Sequence, residues 1–150
     1  MKKIKIYLDS CCFNRPFDEL SQDRVRLESE AVLTILNKCE IGVWDIFRSD
    51  ILEDEIYRIT DLFKRQKILK LYTSTSIYIE IDDDIIRRAK ELQKVNIKSF
   101  DALHLASAEF GGADVLLTTD KKFLNSALSS DTKIKISNPA IWLAEVLFYD

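Results

Sequence analysis

Four carboxylates occupy positions where a charge needs a reason. Asp9 closes the apolar run at residues 4–8 (IKIYL), and Asp120 closes the run at residues 115–119 (VLLTT). Glu55 lies three residues after Leu52 and four before Ile59. It therefore falls on the apolar stripe of a predicted helix, with Leu52, Ile56, Ile59 and Phe63, where an unpaired charge is costly. Asp101 sits in the first turn of SFDALHLASAEF, a helix apolar nearly all round. Gathered at one point, such hard oxygen donors suit Mg²⁺ or Mn²⁺, which bind few carboxylates and keep several waters. Ions of this kind activate water and neutralise charge on phosphate, which is the chemistry of phosphodiester hydrolysis. Crowding the carboxylates without a cation must raise the pKa of at least one of them.

Each residue also has a plainer reading. Asp120 is placed to cap a helix starting at Lys121, and Asp9 to shape a turn. Glu55 could reach water from the edge of its stripe. Asp101 would serve as a favourable charge at a helix start. The lone histidine, His104, reads as a packed, hydrogen-bonded core residue. Glu53 and Asp54 are explained by the helix dipole.

The elements that would position these residues alternate. Residues 4–8 read as a strand and residues 11–20 as a loop punctuated by Asn14, Arg15 and Pro16. Residues 22–39 carry helical spacing through Val25, Ala31, Val32, Ile35 and Leu36. A strand at 42–48 leads into one long helix from residue 50 to about 71, opened by the capping-box-like Asp50 and Glu53. A strand at 77–81, helices at 82–95 and 99–110, a strand at 115–119, a helix at 121–128, a strand at 134–136 and a helix at 140–147 complete the chain. Strands alternating with helices imply an α/β fold with a central, mainly parallel sheet covered on both faces. In such sheets, sites form beyond the carboxyl ends of the strands, where Asp9 and Asp120 fall.

Composition narrows the class. The 150 residues suit one domain over 1–150, and 47% hydrophobic with 31% charged residues is an ordinary globular balance. A net charge of −3 argues against coating nucleic acid through bulk charge. No apolar run approaches a membrane span, and the one after Met1-Lys2-Lys3 is too short for a secretory leader. Cys11, Cys12 and Cys39 are odd in number and lack CxxC spacing, which fits a reducing cytoplasm, and one histidine leaves no zinc set. The adjacent cysteines read as small buried packing residues. An aspartyl-phosphate phosphatase would need Asp-x-Asp, and Cys11 stands at the second position. A receiver domain would need an acidic pair after its first strand, which is missing.

With these residues in view, the chain resembles the PIN-domain family, VapC-like ribonucleases among them. The likeness is carried by YLDS (7–10), SDILEDEI (49–56), FDALHLASA (100–108) and ADVLLTTDKKF (113–123). It implies a three-layer α/β/α sandwich, an acidic Mg²⁺ or Mn²⁺ site formed by Asp9, Glu55, Asp101 and Asp120, and frequent homodimers. It also implies RNA as substrate and, for toxin members, an antitoxin partner. Where many members have Asp-Thr-Asn, this chain has Asp9-Ser10. Ser10 can replace the threonine hydroxyl, while Asn14 either supplies the amide or shapes the turn. Thr119 is a further bracing candidate. Arg15, Lys98, Lys121 and Lys122 are candidates to hold the substrate backbone at the rim. The rival reading is a PIN-fold module that binds RNA or a partner without cutting.

Overall fold

The computed structural model describes residues 2–72 and 77–149. In chain order it contains β1 (Lys5–Leu8), α1 (Ser10–Asn14), a 3₁₀ turn (Arg15–Phe17), α2 (Asp23–Glu40), β2 (Asp45–Ser49), α3 (Asp50–Tyr57) and α4 (Leu62–Tyr72). There follow β3 (Ile77–Ile79), α5 (Asp83–Gln93), α6 (Ser99–Gly111), β4 (Val115–Leu117), α7 (Lys121–Leu128), β5 (Lys135–Ser137) and α8 (Pro139–Tyr149).

The strands form one five-stranded sheet in the order β3-β2-β1-β4-β5, and every pairing is parallel. Helices cover both faces, which makes the three-layer α/β/α sandwich. A strand covered on both faces loses its polar alternation, and Ile6, Tyr7 and Leu8 of the central strand are all fully buried. Strand order reverses at β1: β2 lies on one side and β4 on the other, in register Ile6↔Val115 to Leu8↔Leu117. This is the switch point at which a crevice opens beyond the carboxyl ends. The ladder continues into the site, since the Asp9 N–H donates to the Leu117 carbonyl at 3.0 Å.

Two expectations are corrected. Residues 11–20 are not a loop throughout. The Asp9 side chain caps α1 by accepting from the Ser10 N–H, and Cys12 and Phe13 anchor that helix in the core. The single long helix from residue 50 is two. The N–H of Arg58 closes α3 on the carbonyls of Asp54, Glu55 and Ile56. Asp61 then accepts from the N–H groups of Phe63 and Lys64, a local side-chain bond that competes with helix continuation and restarts the chain as α4. The new register turns Phe63 out to 79% exposure, so the apolar stripe holds through Leu52, Ile56 and the partly buried Ile59 and is lost at Phe63.

The helix carrying Asp101 meets expectation. Ala102, His104, Leu105, Ala106, Ser107 and Ala108 are all buried, and α6 stops where Gly112 adopts a left-handed φ of 78°. Helix α5 packs on α6, α6 on α3, and α2 on α8. No helix among the described residues is long and apolar enough to cross a membrane.

Candidate metal centre

Asp9 reaches the site because β1 ends there, and its carboxylate is held on both oxygens. Oδ1 accepts from the Ser10 N–H at 2.8 Å. Oδ2 accepts from the Thr118 hydroxyl at 2.8 Å and from the Cys11 thiol at 3.3 Å. Thr118 immediately follows β4 and also receives the Asp120 N–H at 3.1 Å, so one hydroxyl ties the ends of β1 and β4 together. The bracing hydroxyl is therefore that of Thr118. Its neighbour Thr119 offers backbone instead: its N–H points to Cys11 Sγ and its carbonyl accepts from Arg24.

Glu55 enters from the second turn of α3. Ser10 Oγ donates to Oε2 at 3.0 Å, and His104 Nε2 is hydrogen-bonded to Oε1. Burial alone would raise the pKa of this carboxyl, but the bonds from His104 and Ser10 outweigh it and hold Glu55 below its ordinary range. His104 is fully buried, and its Nε2 also lies 3.6 Å from Asp9 Oδ1. Burial works against a charge on the ring, yet the Glu55 bond and the nearby Asp9 carboxylate prevail and raise its pKa. Each of Asp9, Glu55 and His104 offers a donor atom within 4.8 Å of the others.

Asp101 and Asp120 stand beside this group. Burial, and next the charge of Asp9, push the Asp101 pKa up to about 6, with Asp120 and Glu55 adding to the rise. The expected penalty for crowding carboxylates thus falls on Asp101. Oδ1 of Asp120 caps α7 through the N–H groups of Lys122 and Phe123, so the plain reading of Asp120 holds as well. Asp101 and Asp120 line a cleft of about 300 Å³ with Lys98 and Lys122. Lys121 instead borders an adjoining, mainly apolar groove with Leu27, Leu124 and Ile141.

The remaining expected residues are placed differently. Asn14 donates to the Ser10 carbonyl at 3.2 Å, inside its own turn. Arg15 is engaged by Glu28 at 2.8 Å and Asp18 at 2.9 Å. Cys12 is buried as packing, whereas Cys11 is half-buried against Asp9. Apart from those of His104, none of the ion pairs formed by the described residues involves Asp9, Glu55, Asp101 or Asp120.

Residue pattern alone does not single out Thr118, Tyr7 or the bond that His104 makes. Two of them carry a signal in the chain. Tyr7 lies two residues before Asp9 and so shares its face of the strand, and His104 lies one turn after Asp101 and so shares its face of the helix. The oxygen donors fit a divalent cation: the carboxylates of Asp9 and Glu55 have no lysine or arginine partner among the described residues, and beside them stands Asp101, whose pKa is raised first by burial and then by the charge of Asp9.

The all-parallel sheet thus reverses its strand order beside an acidic cluster that could hold a metal ion. The profile of the PIN domain matches residues 6–127, and the chain belongs to the PIN-domain family. No curated protein sequence matches it. Among solved structures it is similar to VapBC2 from Rickettsia felis bound to a DNA fragment from their promoter. That pair is 16% identical, with 90% of this chain and 98% of that chain covered and a TM-score of 0.61. It is also similar to PAE2754 from Pyrobaculum aerophilum, at 17% identity, 94% and 90% coverage and a TM-score of 0.51. At these identities the likeness concerns the fold. PIN domains are generally nucleases and typically use divalent metal ions.

Proposed function

We propose that this protein is a Mg²⁺- or Mn²⁺-dependent endoribonuclease of the cytoplasm, folded as one domain over residues 1–150, with Asp9, Glu55, Asp101 and Asp120 as its catalytic carboxylates. The observation that carries this reading is the convergence of Asp9, Glu55 and His104 within 4.8 Å, with no lysine or arginine among the described residues pairing with them. A cation held there would neutralise charge on the phosphodiester and help activate the attacking water. The chain's own residues do the positioning. Ser10 and Thr118 fix the Asp9 oxygens, Ser10 and His104 fix those of Glu55, and Asp101 completes the acidic wall. Lys98 and Lys122, on the cleft shared by Asp101 and Asp120, are placed to hold the backbone of a single strand.

The test is cleavage of a defined panel of single-stranded RNAs and DNAs by the purified protein, with Mn²⁺, with Mg²⁺ and with chelator. We expect RNA cleavage that chelator abolishes and Asp9→Asn removes. RNA binding without cleavage under every metal condition would favour the non-cutting module instead.

The finer role proposed is toxin of a type II toxin–antitoxin pair. Supporting a protein partner, Leu27, Ile141 and Leu147 are exposed along α2 and α8, around a mainly apolar groove of about 460 Å³. The partner would be an antitoxin encoded alongside, with homodimerisation as a second use of apolar surface. Growth arrest on expression, relieved by the adjacent gene, would test this.

A further inference from the structure

His104 is the feature that metal binding by carboxylates does not by itself explain. It is fully buried in α6, and both its nitrogens are engaged. Nε2 meets Glu55 Oε1, and Nδ1 lies 2.6 Å from the Tyr7 hydroxyl. The two rings pack edge to face, with centroids 5.6 Å apart. Behind Nδ1 the chain continues: Tyr7 Oη lies 2.8 Å from Ser49 Oγ, which accepts from the Leu52 N–H at 3.2 Å as the cap of α3. Ser49 and Glu55 belong to the two ends of one short stretch. The backbone of α3 joins them on one side, and the hydrogen bonds through Tyr7 and His104 join them on the other. The result is a closed ring that runs through β1, β2, α3 and α6, and Glu55 is its most exposed member.

We infer that His104 is a positioning residue, locked by Tyr7 and Ser49, that presets the Glu55 carboxylate for a cation by donating from Nε2 to Oε1. This rests on the proposed metal centre. A glutamate side chain is rich in rotamers, and ordering it before the cation arrives removes that cost from binding. The neutral Nε2-protonated ring and the charged ring both place a hydrogen on Nε2, so the role does not depend on the charge state. Ser10 performs the matching task on Oε2. Groups standing behind metal ligands are commonly worth 10–100-fold in affinity.

The experiment measures Mn²⁺ affinity of the metal-free full-length protein by calorimetry, and the Mn²⁺ environment by pulsed EPR sensitive to ¹⁴N. Melting of each metal-free variant verifies its fold. We expect His104→Leu to weaken Mn²⁺ binding by about 10–100-fold. His104→Gln, which keeps an N–H near Nε2, should recover most of that loss. Tyr7→Phe, which keeps the ring and removes the lock, should fall between wild type and His104→Leu. Wild type should show no ¹⁴N coupling to Mn²⁺.

A folded His104→Leu that binds like wild type overturns the proposal, as does a His104→Gln no better than His104→Leu. A ¹⁴N coupling that disappears in His104→Gln makes His104 a ligand and also overturns it. If His104→Leu does not fold, Tyr7→Phe and His104→Gln decide: unchanged affinity in Tyr7→Phe refutes the lock, and a ¹⁴N coupling refutes positioning. Wild type that binds no Mn²⁺ fails the metal-centre reading, whereas wild type that binds alongside unaffected variants fails only this one.

Discussion

Two groups of buried acid lie near the carboxyl edge of the sheet, and they differ in what surrounds them. Glu28, 1% exposed on α2, is fully answered: Arg15 donates to it at 2.8 Å, Arg24 at 3.1 Å, and Asn138 supplies an amide. Arg24 also reaches the Thr119 carbonyl, so this group buttresses the turn that leads to Asp120. The Asp9, Glu55 and Asp101 group has hydroxyls, a thiol and an imidazole around it, but no guanidinium or ammonium among its ion pairs. Burying a carboxylate requires compensation in either case. Where the chain provides the cation itself, the acid holds the fold together. Where it supplies no lysine or arginine, the acid stays open to a cation from outside.

The largest effect expected on stability comes from the answered group. Glu28→Ala leaves Arg15 and Arg24 without their shared partner and should cost about 2–3 kcal/mol, reduced from the fully buried case because both arginines are partly exposed. Urea denaturation with an unchanged slope would show it, and Mn²⁺, expected to stabilise the fold by binding the native site and not the unfolded chain, should still stabilise the variant. If Glu28→Ala abolished the Mn²⁺ response, the division of labour between the two groups would be wrong.

The unanswered group should respond with the opposite sign. With its pKa raised from 3.8 to about 6, Asp101 keeps in the native state a proton that the unfolded chain has released. The native state binds more protons across that window, so this residue makes the metal-free protein lose stability as pH rises from about 4 to about 6. Glu55 is held low and contributes in the other direction, so the useful quantity is the difference between wild type and variant. Asp101→Asn should be about 1–2 kcal/mol more stable than wild type at pH 7 without metal, after discounting for solvent screening. The two should converge near pH 4. A variant less stable than wild type at pH 7 would mean that Asp101 is already compensated.

A smaller effect concerns the lysines at the rim. In the Asp101→Asn background, Lys98→Ala with Lys122→Ala should weaken single-stranded RNA binding. The salt dependence of log affinity should become shallower by about 0.7 for each phosphate that is no longer neutralised. An unchanged slope would remove these lysines from the substrate path.

The smallest effect is a labelling difference. Burial, followed by the charge of Asp45, pushes the Cys39 thiol up to about 12, and burial also raises Cys12. Cys11 is half-buried with its sulfur against Asp9. At pH 8 the native protein should present one reactive thiol to a disulfide reagent, and Mn²⁺ should slow its reaction. Fast labelling of Cys39 would contradict the packing of α2.

The strands, the placement of Asp9 and Asp120 at strand ends, and the burial of α6 are all legible in the order of residues, because they are matters of local period and punctuation. Glu55 is conspicuous there too, because it stands three residues after Leu52 and four before Ile59 on an apolar stripe. Legibility ends where a local choice is settled by something distant or by a competing cap. Asp61 could continue a helix or restart one, and only the folded chain shows the break that turns Phe63 outward. Arg15 reads as a candidate to hold the substrate backbone until the fold pairs it with Glu28, which Asn138 also reaches from the other end of the chain. Tyr7 and His104 are separated by 97 residues, and Thr118 and Asp9 by 109. Hydrogen bonds depend on distance and direction in space, which strand order and register set. Which acids are neutralised and which are left open is therefore a property of the folded chain alone.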